Sequence, residues 1–411
     1  MLQIRSMTVV AALLIAAATA AAADDAVTAD LRPGVAKPEL RLRRDAVYLV
    51  DNTFAKPAEG AGTVHAGAMT AARRDAKVRI AVAIDATTPE APAPDVLRLD
   101  FTGQGRFEGA PVVPLKSYPM GGGSFYAPFG PELITVQRGG EILPVWVEGF
   151  YNRSRGQRSL WLETATAREG ICRFGDRSCA VQVLDGSLNL AVNDRTAFAR
   201  DHDHRSIGTI GDTLAIDVGD GSFAADTVVR AFVGQPVQVD GRWYRVTVAD
   251  DQKSLSAAPW TGPLGHLRID HDDWWCLLIG DDSAVVVRGG RQDVPVPAGT
   301  YEVVEGRQIL RGQRPGSLAW EAERNVAAAT VTIEAGRTAV LAVGAPIALK
   351  VRAAVDGRRV SMDLEQLDAA GLPVSGITVG DAARGRRPPA PRLTVTDADG
   401  KIVHRGTFDY G

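Results

Sequence analysis

Short runs of alternating or β-branched residues recur about every 8 to 15 residues, and this rhythm limits the fold more than any other feature of the sequence. Residues 78–84, 142–147, 243–248 and 360–367 are runs of this kind. The 43 glycines and 23 prolines are spread between such runs, and Asp-Gly pairs, a strong hairpin signal, separate several of them. Alternation with period two is typical of half-buried strands. The sequence therefore predicts an all-β protein of several small antiparallel sandwich or barrel-like domains in tandem.

The length of 411 residues exceeds what one hydrophobic core usually holds, so we expect several domains. The stretch Ser256-Ala257-Ala258-Pro259-Trp260-Thr261-Gly262-Pro263, with two prolines and a glycine, is interpreted as a linker. The predicted divisions are 1–23, a signal peptide; 24–165, a β domain; 166–262, a β domain with acidic turns and a disulfide; 263–325, a small sandwich; and 326–411, a C-terminal Ig-like sandwich.

The third of these divisions contains Val294-Pro295-Val296-Pro297-Ala298-Gly299-Thr300-Tyr301-Glu302-Val303. This stretch resembles the Pro-x-Gly-x-Tyr strand start of transthyretin-like sandwiches, also called prealbumin-type. In such a start the proline and glycine turn the chain, and the tyrosine enters the core with its hydroxyl at the rim. The resemblance implies a fold class only.

The N-terminus has the pattern of a secretory signal. Arg5 precedes an uncharged, Ala-rich run, which ends in small residues before Asp24 and Asp25. The run is marginal for a bilayer span, and no later stretch approaches the length of one. A formal net charge of −3 from a nearly even mixture of acids and bases indicates neither nucleic-acid binding nor a polybasic membrane patch. We expect a periplasmic or extracellular protein that does not insert into a membrane after cleavage.

Cysteine usage agrees with export. Cys172 and Cys179 flank a turn centred on Gly175 and Asp176, which predicts a disulfide across two paired strands in an oxidising compartment. A two-residue turn would put the pair at a hydrogen-bonded position, whereas a four-residue loop would put it at the closer non-hydrogen-bonded position. Cys276 is left over, and we interpret it as a buried small hydrophobic residue.

Three stretches share a strand that runs into an aspartate and then into a short polar turn; the aspartates are Asp100, Asp185 and Asp217. A calcium ion needs about six to eight oxygen ligands, and acids and amides at alternate positions supply several at once. The candidate ligands are Asp185, Ser187, Asn189, Asn193, Asp217 and Asp220. Leu190 stands where a calcium loop has glycine, and Asp and Asn also favour turns without any metal. Both interpretations stay open, with calcium as a candidate stabilising ion.

The repeated turns and the ending Asp399-Gly400-Lys401-Ile402-Val403-His404-Arg405-Gly406-Thr407-Phe408-Asp409-Tyr410-Gly411 together resemble a group of uncharacterised secreted bacterial multidomain β proteins. Members of that group repeat Asp-x-Asn-x-Asp-Gly-x-Phe turns and end in Gly-x-Phe-Glu-Tyr-Gly. Asp409 stands where the group has glutamate. The resemblance implies export and a β architecture, and it transfers no activity.

Two other polar clusters, at residues 201–204 and 270–275, contain histidine and aspartate, but solvated turns and rim contacts explain them more simply. No nucleophile elbow, zinc-protease motif or phosphate loop is present in the sequence, and we name no catalytic residue. We expect a non-enzymatic protein with a binding or structural role, whose ligand is a carbohydrate or a cell-surface protein. A carbohydrate-active or other secreted hydrolase with a loop-built site is the alternative.

Overall fold

The computed structural model describes most of the chain after the first 25 residues. The described residues are 26–37, 47–50, 63–70, 79–85, 93–102, 104–122, 124–154, 157–186, 189–194, 197–200, 206–224, 227–281, 283–310, 316–321, 329–357, 359–379 and 386–408. Throughout these ranges the regular secondary structure is β-strand. No helix in them is long and apolar enough to cross a membrane. The prediction of an all-β protein with small antiparallel sheets in tandem is confirmed, and the predicted signal peptide lies outside the described residues.

By its internal contacts the chain forms two compact units, of which the first comprises residues 1–199 and 208–261 and the second residues 200–207 and 262–411. The strands up to residue 259 are β1 (Val27–Asp30), β2 (Arg32–Gly34), β3 (Val47–Val50), β4 (Thr63–Thr70), β5 (Arg79–Asp85), β6 (Val96–Asp100), β7 (Val112–Pro114), β8 (Tyr118–Gly121), β9 (Ser124–Arg138), β10 (Glu141–Ser154), β11 (Gln157–Ala165), β12 (Ala167–Phe174), β13 (Arg177–Leu184), β14 (Ala197–Arg200), β15 (Ser206–Ile210), β16 (Thr213–Asp217), β17 (Val228–Phe232), β18 (Pro236–Val239), β19 (Arg242–Val248) and β20 (Ser254–Pro259). Strands β14 and β15 pair only with each other within the described residues.

A first sandwich spans residues 47–165. One sheet has the strand order β3-β11-β10-β9-β8, and the other has the order β4-β5-β6-β7. Alternate side chains of both sheets meet in one core, in which Val82 and Leu97 of the smaller sheet pack in the same cluster as Val145 and Leu160 of the larger. Burial of such aliphatic side chains contributes roughly 1.5–3 kcal/mol each and holds the sheets together. The opposite face of the larger sheet is covered at one end, where Ala165 and Trp146 pack with Leu184 and Val228 of the second sandwich.

A second sandwich pairs the sheet β17-β16-β13-β12-β2 with the sheet β1-β20-β19-β18. Its core includes Val181, Ile216 and Val246. Residues 26–37, which the predicted boundaries assign to the first domain, supply β1 and β2, and these strands pair with residues 254–257 and 167–169. The rhythm of the sequence reveals each strand but not its partner, because pairing is decided by contacts between residues far apart in the chain.

The remaining strands are β21 (Leu264–Arg268), β22 (Trp274–Ile279), β23 (Ala284–Gly289), β24 (Val294–Pro297), β25 (Gly299–Leu310), β26 (Gly316–Glu321), β27 (Thr330–Ile333), β28 (Thr338–Val340), β29 (Ala348–Asp356), β30 (Arg359–Leu367), β31 (Val374–Val379), β32 (Arg392–Thr396) and β33 (Ile402–Thr407). They form a sheet β24-β21-β28, a sheet β23-β22-β25-β26-β31 with β27 beside β25, and two ribbons, β29-β30 and β32-β33. Strand β28 joins β21 in parallel, and β31 joins β26. Strands on both sides of the predicted boundary at residue 325 therefore share sheets.

The structure bears on the local predictions at one turn and at one tyrosine. Asp240 and Gly241 have φ of 48° and 77° and join β18 to β19, as a two-residue hairpin with both central residues left-handed requires. Tyr301 is buried in β25, and its hydroxyl donates to the carbonyl of Pro297 at 2.9 Å. The tyrosine therefore enters the core as expected, but its hydroxyl is buried and bonded to a backbone acceptor instead of lying at the rim.

Candidate functional site

The first acidic turn closes around the carboxylate of Asp100 at the end of β6. One carboxylate oxygen accepts the amide and hydroxyl of Thr102, at 2.8 and 2.6 Å, and the other accepts the amides of Gly105 and Arg106, at 2.8 and 3.1 Å. Burial raises the pKa of Asp100, but these hydrogen bonds outweigh it and hold the pKa below its ordinary value. The side chain acts as the internal support of its own turn.

The third acidic turn has the same construction around Asp217, at the end of β16. Its two oxygens accept the amides of Gly219 and Phe223, each at 2.8 Å. Burial raises the pKa of Asp217, but hydrogen bonds from Thr227, Phe223 and Gly219 lower it further than burial raises it. Asp220 is exposed and accepts the amide of Ser222 at 2.9 Å. The two predicted ligands of this turn therefore already serve backbone donors.

The second acidic turn brings together two buried carboxyl groups, Asp185 and Asp212. Asp185 accepts the amide of Leu190 at 2.7 Å, while Asp212 accepts the amides of Gly186 and Asp194, at 2.8 and 2.7 Å. Burial, and then the negative charge of Asp185, raise the pKa of Asp212 well above its ordinary value. The sequence pattern selected Asp185 but missed Asp212, because Asp212 comes from the start of a different strand.

The other predicted ligands of this turn point to different partners. The amide group of Asn189 donates to Asp194 at 2.6 Å, and that of Asn193 donates to the carbonyl of Asp250 at 3.4 Å. Ser187 lies outside the described residues. Within the described ranges no group of three His, Cys, Asp or Glu side chains has the arrangement of a metal site. Calcium would compete with backbone donors for the same lone pairs, so calcium binding stays a prediction.

Cys172 and Cys179 lie directly opposite each other in the β12–β13 hairpin, which Gly175 and Asp176 close as a two-residue turn. Of the two arrangements considered, the pair therefore occupies the hydrogen-bonded one, where Cα atoms lie about 5.5 Å apart, within the range that a disulfide spans. Both side chains are buried free thiols in this structure. Burial and the neighbouring Cys179 raise the pKa of Cys172 to about 11. The disulfide stays a prediction.

The remaining polar clusters separate into individual contacts. Residues 201–204 lie outside the described ranges. In the cluster at 270–275, His271 contacts the carbonyl of Val343 at 2.9 Å, Asp272 accepts from Arg291 at 2.6 Å, and Trp274 donates to the carbonyl of Gly290 at 3.0 Å. Trp274 is buried and Trp275 is half-buried, as expected for neighbours on a strand. This cluster positions loops and does not converge on a common point.

A row of aromatic side chains crosses the outward face of the larger sheet of the first sandwich. We call Tyr118, Tyr126, Phe150 and Trp161 the aromatic row. Tyr118 lies directly opposite Tyr126, and Phe150 directly opposite Trp161. The ring centroids of Tyr126 and Phe150 are 5.5 Å apart, and those of Phe150 and Trp161 are 5.7 Å apart with an interplanar angle of 17°. Tyr118 and Tyr126 are 44% and 38% exposed.

Polar side chains flank the aromatic row on both sides along β10 and β11. Asn152 lies opposite Ser159 on one side, and Glu148 lies opposite Glu163 on the other. Glu148 is half-buried, whereas Glu163 is fully buried. The Oδ1 atom of Asn152 is buried without a hydrogen-bond partner among the described residues. At the β8 end, the ammonium group of Lys116 lies 5.5 Å from the centroid of the Tyr118 ring, within the distance of a cation–π interaction.

The sequence contains a pattern that indicates part of the aromatic row. Phe125-Tyr126, Phe150-Tyr151 and Leu160-Trp161 are doublets of large side chains within alternating strands. Since neighbours on a strand point to opposite faces, one member of each doublet must lie outward. Phe125, Tyr151 and Leu160 enter the core, which leaves the other member of each doublet on the outer face. That these three outward members meet depends on the register between strands.

No family model, curated protein or solved structure matches the chain in comparisons with known proteins.

Proposed function

We propose that this chain is an exported, non-enzymatic protein of the periplasm or cell surface whose first sandwich binds carbohydrate through the aromatic row. Export rests on the signal-peptide pattern at residues 1–23. The observation that carries the binding role is that four aromatic side chains lie side by side on the outward face of one sheet.

The chemistry of the row favours a sugar. The faces of aromatic rings are electron-rich, and the C–H bonds on one face of a pyranose are weakly positive, so the two surfaces attract each other while both lose water. Several rings in a row offer successive stacking positions to a chain of sugars. Polar side chains beside the rings supply the hydrogen bonds that sugar hydroxyls need, because most binding sites combine apolar surface with a few fixed polar groups.

Alanine substitutions in the row test the proposal. Binding of the full chain to soluble and insoluble polysaccharides would be measured for Phe150→Ala and Trp161→Ala, with Trp260→Ala as the matched control. Trp260 is a half-buried tryptophan of the second sandwich, outside the aromatic row. We expect each row variant to lose binding by about tenfold or more, since a stacked ring contributes about 1–3 kcal/mol by analogy with base stacking. Equal binding by the Trp161 and Trp260 variants would contradict the proposal.

A carbohydrate-active hydrolase is the second candidate, and one observation favours it. Glu148 lies directly opposite Glu163 on the same face as the aromatic row. Glycoside hydrolysis commonly uses two carboxyl groups that flank the bond to be cleaved, and Glu163, which is fully buried here, would have to become exposed to serve as one of them. Incubation of the full chain with oligosaccharides, followed by chromatography of the products, separates the candidates. Cleavage that Glu148→Gln and Glu163→Gln abolish would support the hydrolase, and intact oligosaccharides would support binding alone.

A further inference from the structure

The ribbon of β29 and β30 leaves one strand edge open. All nine residues of β29 are exposed, whereas the last four residues of β30 are half-buried. Among the described residues, β29 pairs with β30 alone. A two-stranded ribbon is marginally stable in water, and the free N–H and C=O groups of an open edge are a template for another strand. The edge that is free to accept a partner is therefore that of β29.

The two faces of this ribbon differ in polarity. One face is almost entirely apolar and consists of four directly opposed pairs, which are Leu349 with Gln366, Val351 with Leu364, Ala353 with Met362 and Val355 with Val360. On the other face, Arg352 forms an ion pair with Glu365 at 2.7 Å. Val355 is 72% exposed. Further strands beside β29 would cover part of the apolar face, because cross-strand neighbours pack against each other.

The geometry of the hairpin shows which backbone groups of β29 face the open edge. Asp356 and Arg359 lie opposite each other with two residues between them, so they form the hydrogen-bonded pair that closes the hairpin. Hydrogen-bonded and non-hydrogen-bonded pairs alternate along an antiparallel ladder, so the even-numbered residues of β29 bond to β30. The N–H and C=O groups of Val351, Ala353 and Val355 therefore point toward the open edge.

The side chains of β29 are complementary to those of a second copy of the same strand. A two-fold axis perpendicular to the sheet pairs two copies of β29 antiparallel and keeps both apolar faces on one side. With the axis at Ala353, Lys350 lies opposite Asp356 of the second copy, and Val351 lies opposite Val355 of the second copy. Opposite charges thus meet at both ends of the pairing, and apolar side chains meet between them.

Other positions of the axis are less favourable. An axis at Arg352 puts this arginine opposite itself, and an axis at Val351 puts Lys350 opposite Arg352. Like charges directly opposite each other destabilise a sheet. An axis at Ala354 avoids like charges within β29 but pairs only residues 352–356. The axis at Ala353 therefore gives the longest pairing without a clash of charges.

We propose that two copies of the chain associate edge to edge through β29, about an axis at Ala353, into a four-stranded sheet β30-β29-β29-β30. The paired residues, 350–356 of each copy, extend over about 24 Å. An interface of this kind buries less than about 1,200 Å² in total, so the dimer is weak, with a Kd of about 10–100 µM. The association is separate from carbohydrate binding and does not involve the aromatic row.

Sedimentation equilibrium of the full chain at low salt, from about 1 to about 500 µM, measures the dimer. Lys350→Asp and Asp356→Lys each put like charges at both ends of the pairing and should weaken the dimer about tenfold or more. The double variant restores opposite charges between the copies and should restore the dimer. This rescue cannot arise within one ribbon, where Lys350 lies opposite Glu365 and Asp356 opposite Arg359. Lys401→Asp, at an exposed lysine between β32 and β33, is the matched control and should dimerise as wild type does.

Ala353→Cys tests the position of the axis. The two introduced thiols would lie directly opposite each other, with Cα atoms about 5.5 Å apart, so oxidised glutathione should link them into a covalent dimer. Val360→Cys, on the outer strand of the proposed sheet, should not be linked. The native cysteines are buried. A chain that stays monomeric at about 500 µM, a dimer that neither charge reversal weakens, a double variant no stronger than the single ones, or equal linking of the two cysteine variants would overturn the proposal.

Discussion

Replacing Asp217 with alanine tests whether the acidic turns support themselves or depend on a metal. In the structure the carboxylate of Asp217 accepts the amides of Gly219 and Phe223, one on each oxygen, at 2.8 Å. Alanine removes both acceptors and adds no new contact. The two amides then either bond to water or stay without a partner, and the turn between β16 and β17 loses its internal support.

The expected loss of stability follows from those two amide contacts, with the hydrogen bond from Thr227 in addition. A hydrogen bond to a charged group contributes about 1.5–3 kcal/mol net, so two such bonds set an upper range of about 3–6 kcal/mol. Gly219 is exposed and Phe223 is half-buried, so water replaces part of what the carboxylate supplied. We therefore expect a loss of about 2–3 kcal/mol. For a domain of about 150–250 residues, this loss of stability lowers the melting temperature by about 5–10 °C.

Scanning calorimetry of the full chain, in calcium and in chelator, measures the loss. Asp220→Ala is the control, because Asp220 belongs to the same turn and is a predicted calcium ligand, but it is exposed and serves only Ser222. A self-supported turn predicts a large shift for Asp217→Ala, a much smaller one for Asp220→Ala, and no dependence on calcium. If both variants lower the melting temperature equally, and only when calcium is present, the turn depends on bound calcium and does not support itself.

The pH dependence gives an independent check. Because hydrogen bonds hold the pKa of Asp217 below its ordinary value, its contribution is present above the unfolded-state pKa and is lost as the pH falls through the folded-state pKa. The difference between wild type and Asp217→Ala should stay constant from pH 5 to 8 and shrink below about pH 4. A difference that grows on acidification would contradict the assignment.

The pH dependence expected for Asp212 has the opposite sign. Burial and the negative charge of Asp185 raise the pKa of Asp212, so its contribution to stability is present below the unfolded-state pKa and is lost as the pH rises through the folded-state pKa. Between about pH 4 and 8, the melting temperature of Asp212→Asn should therefore fall less than that of wild type. If the two melting temperatures change in parallel with pH, the pKa of Asp212 is not raised by burial and Asp185. The predicted Cys172–Cys179 disulfide should appear as a linked peptide by mass spectrometry of the oxidised protein digested without reduction, and recovery of both cysteines as alkylated thiols would contradict it. Burial raises the pKa of Cys276, so that thiol should react with iodoacetamide only in denaturant; rapid labelling of the native protein would show that it is accessible.

Local patterns accounted for the class of the fold and for several details. Alternation along residues 142–147 predicted a strand with one buried face, and β10 buries Leu143, Val145 and Val147. The Asp240-Gly241 pair predicted a hairpin, which the left-handed φ angles of both residues confirm. The spacing of Cys172 and Cys179 predicted that they lie opposite each other, which the register of β12 and β13 confirms. Each of these features depends on a few consecutive residues.

Only the tertiary structure decided which distant elements meet. Strands β1 and β2 join the second sandwich, Asp212 lies against Asp185, and Trp161 lies against Phe150, although nothing in the local sequence states these pairings. The sequence determined where strands and turns occur, because the alternation of side chains and the conformational preferences of Asp and Gly act within a few residues. The assembly of the aromatic row depended on strand register, which is set by the free energy of packing one whole core.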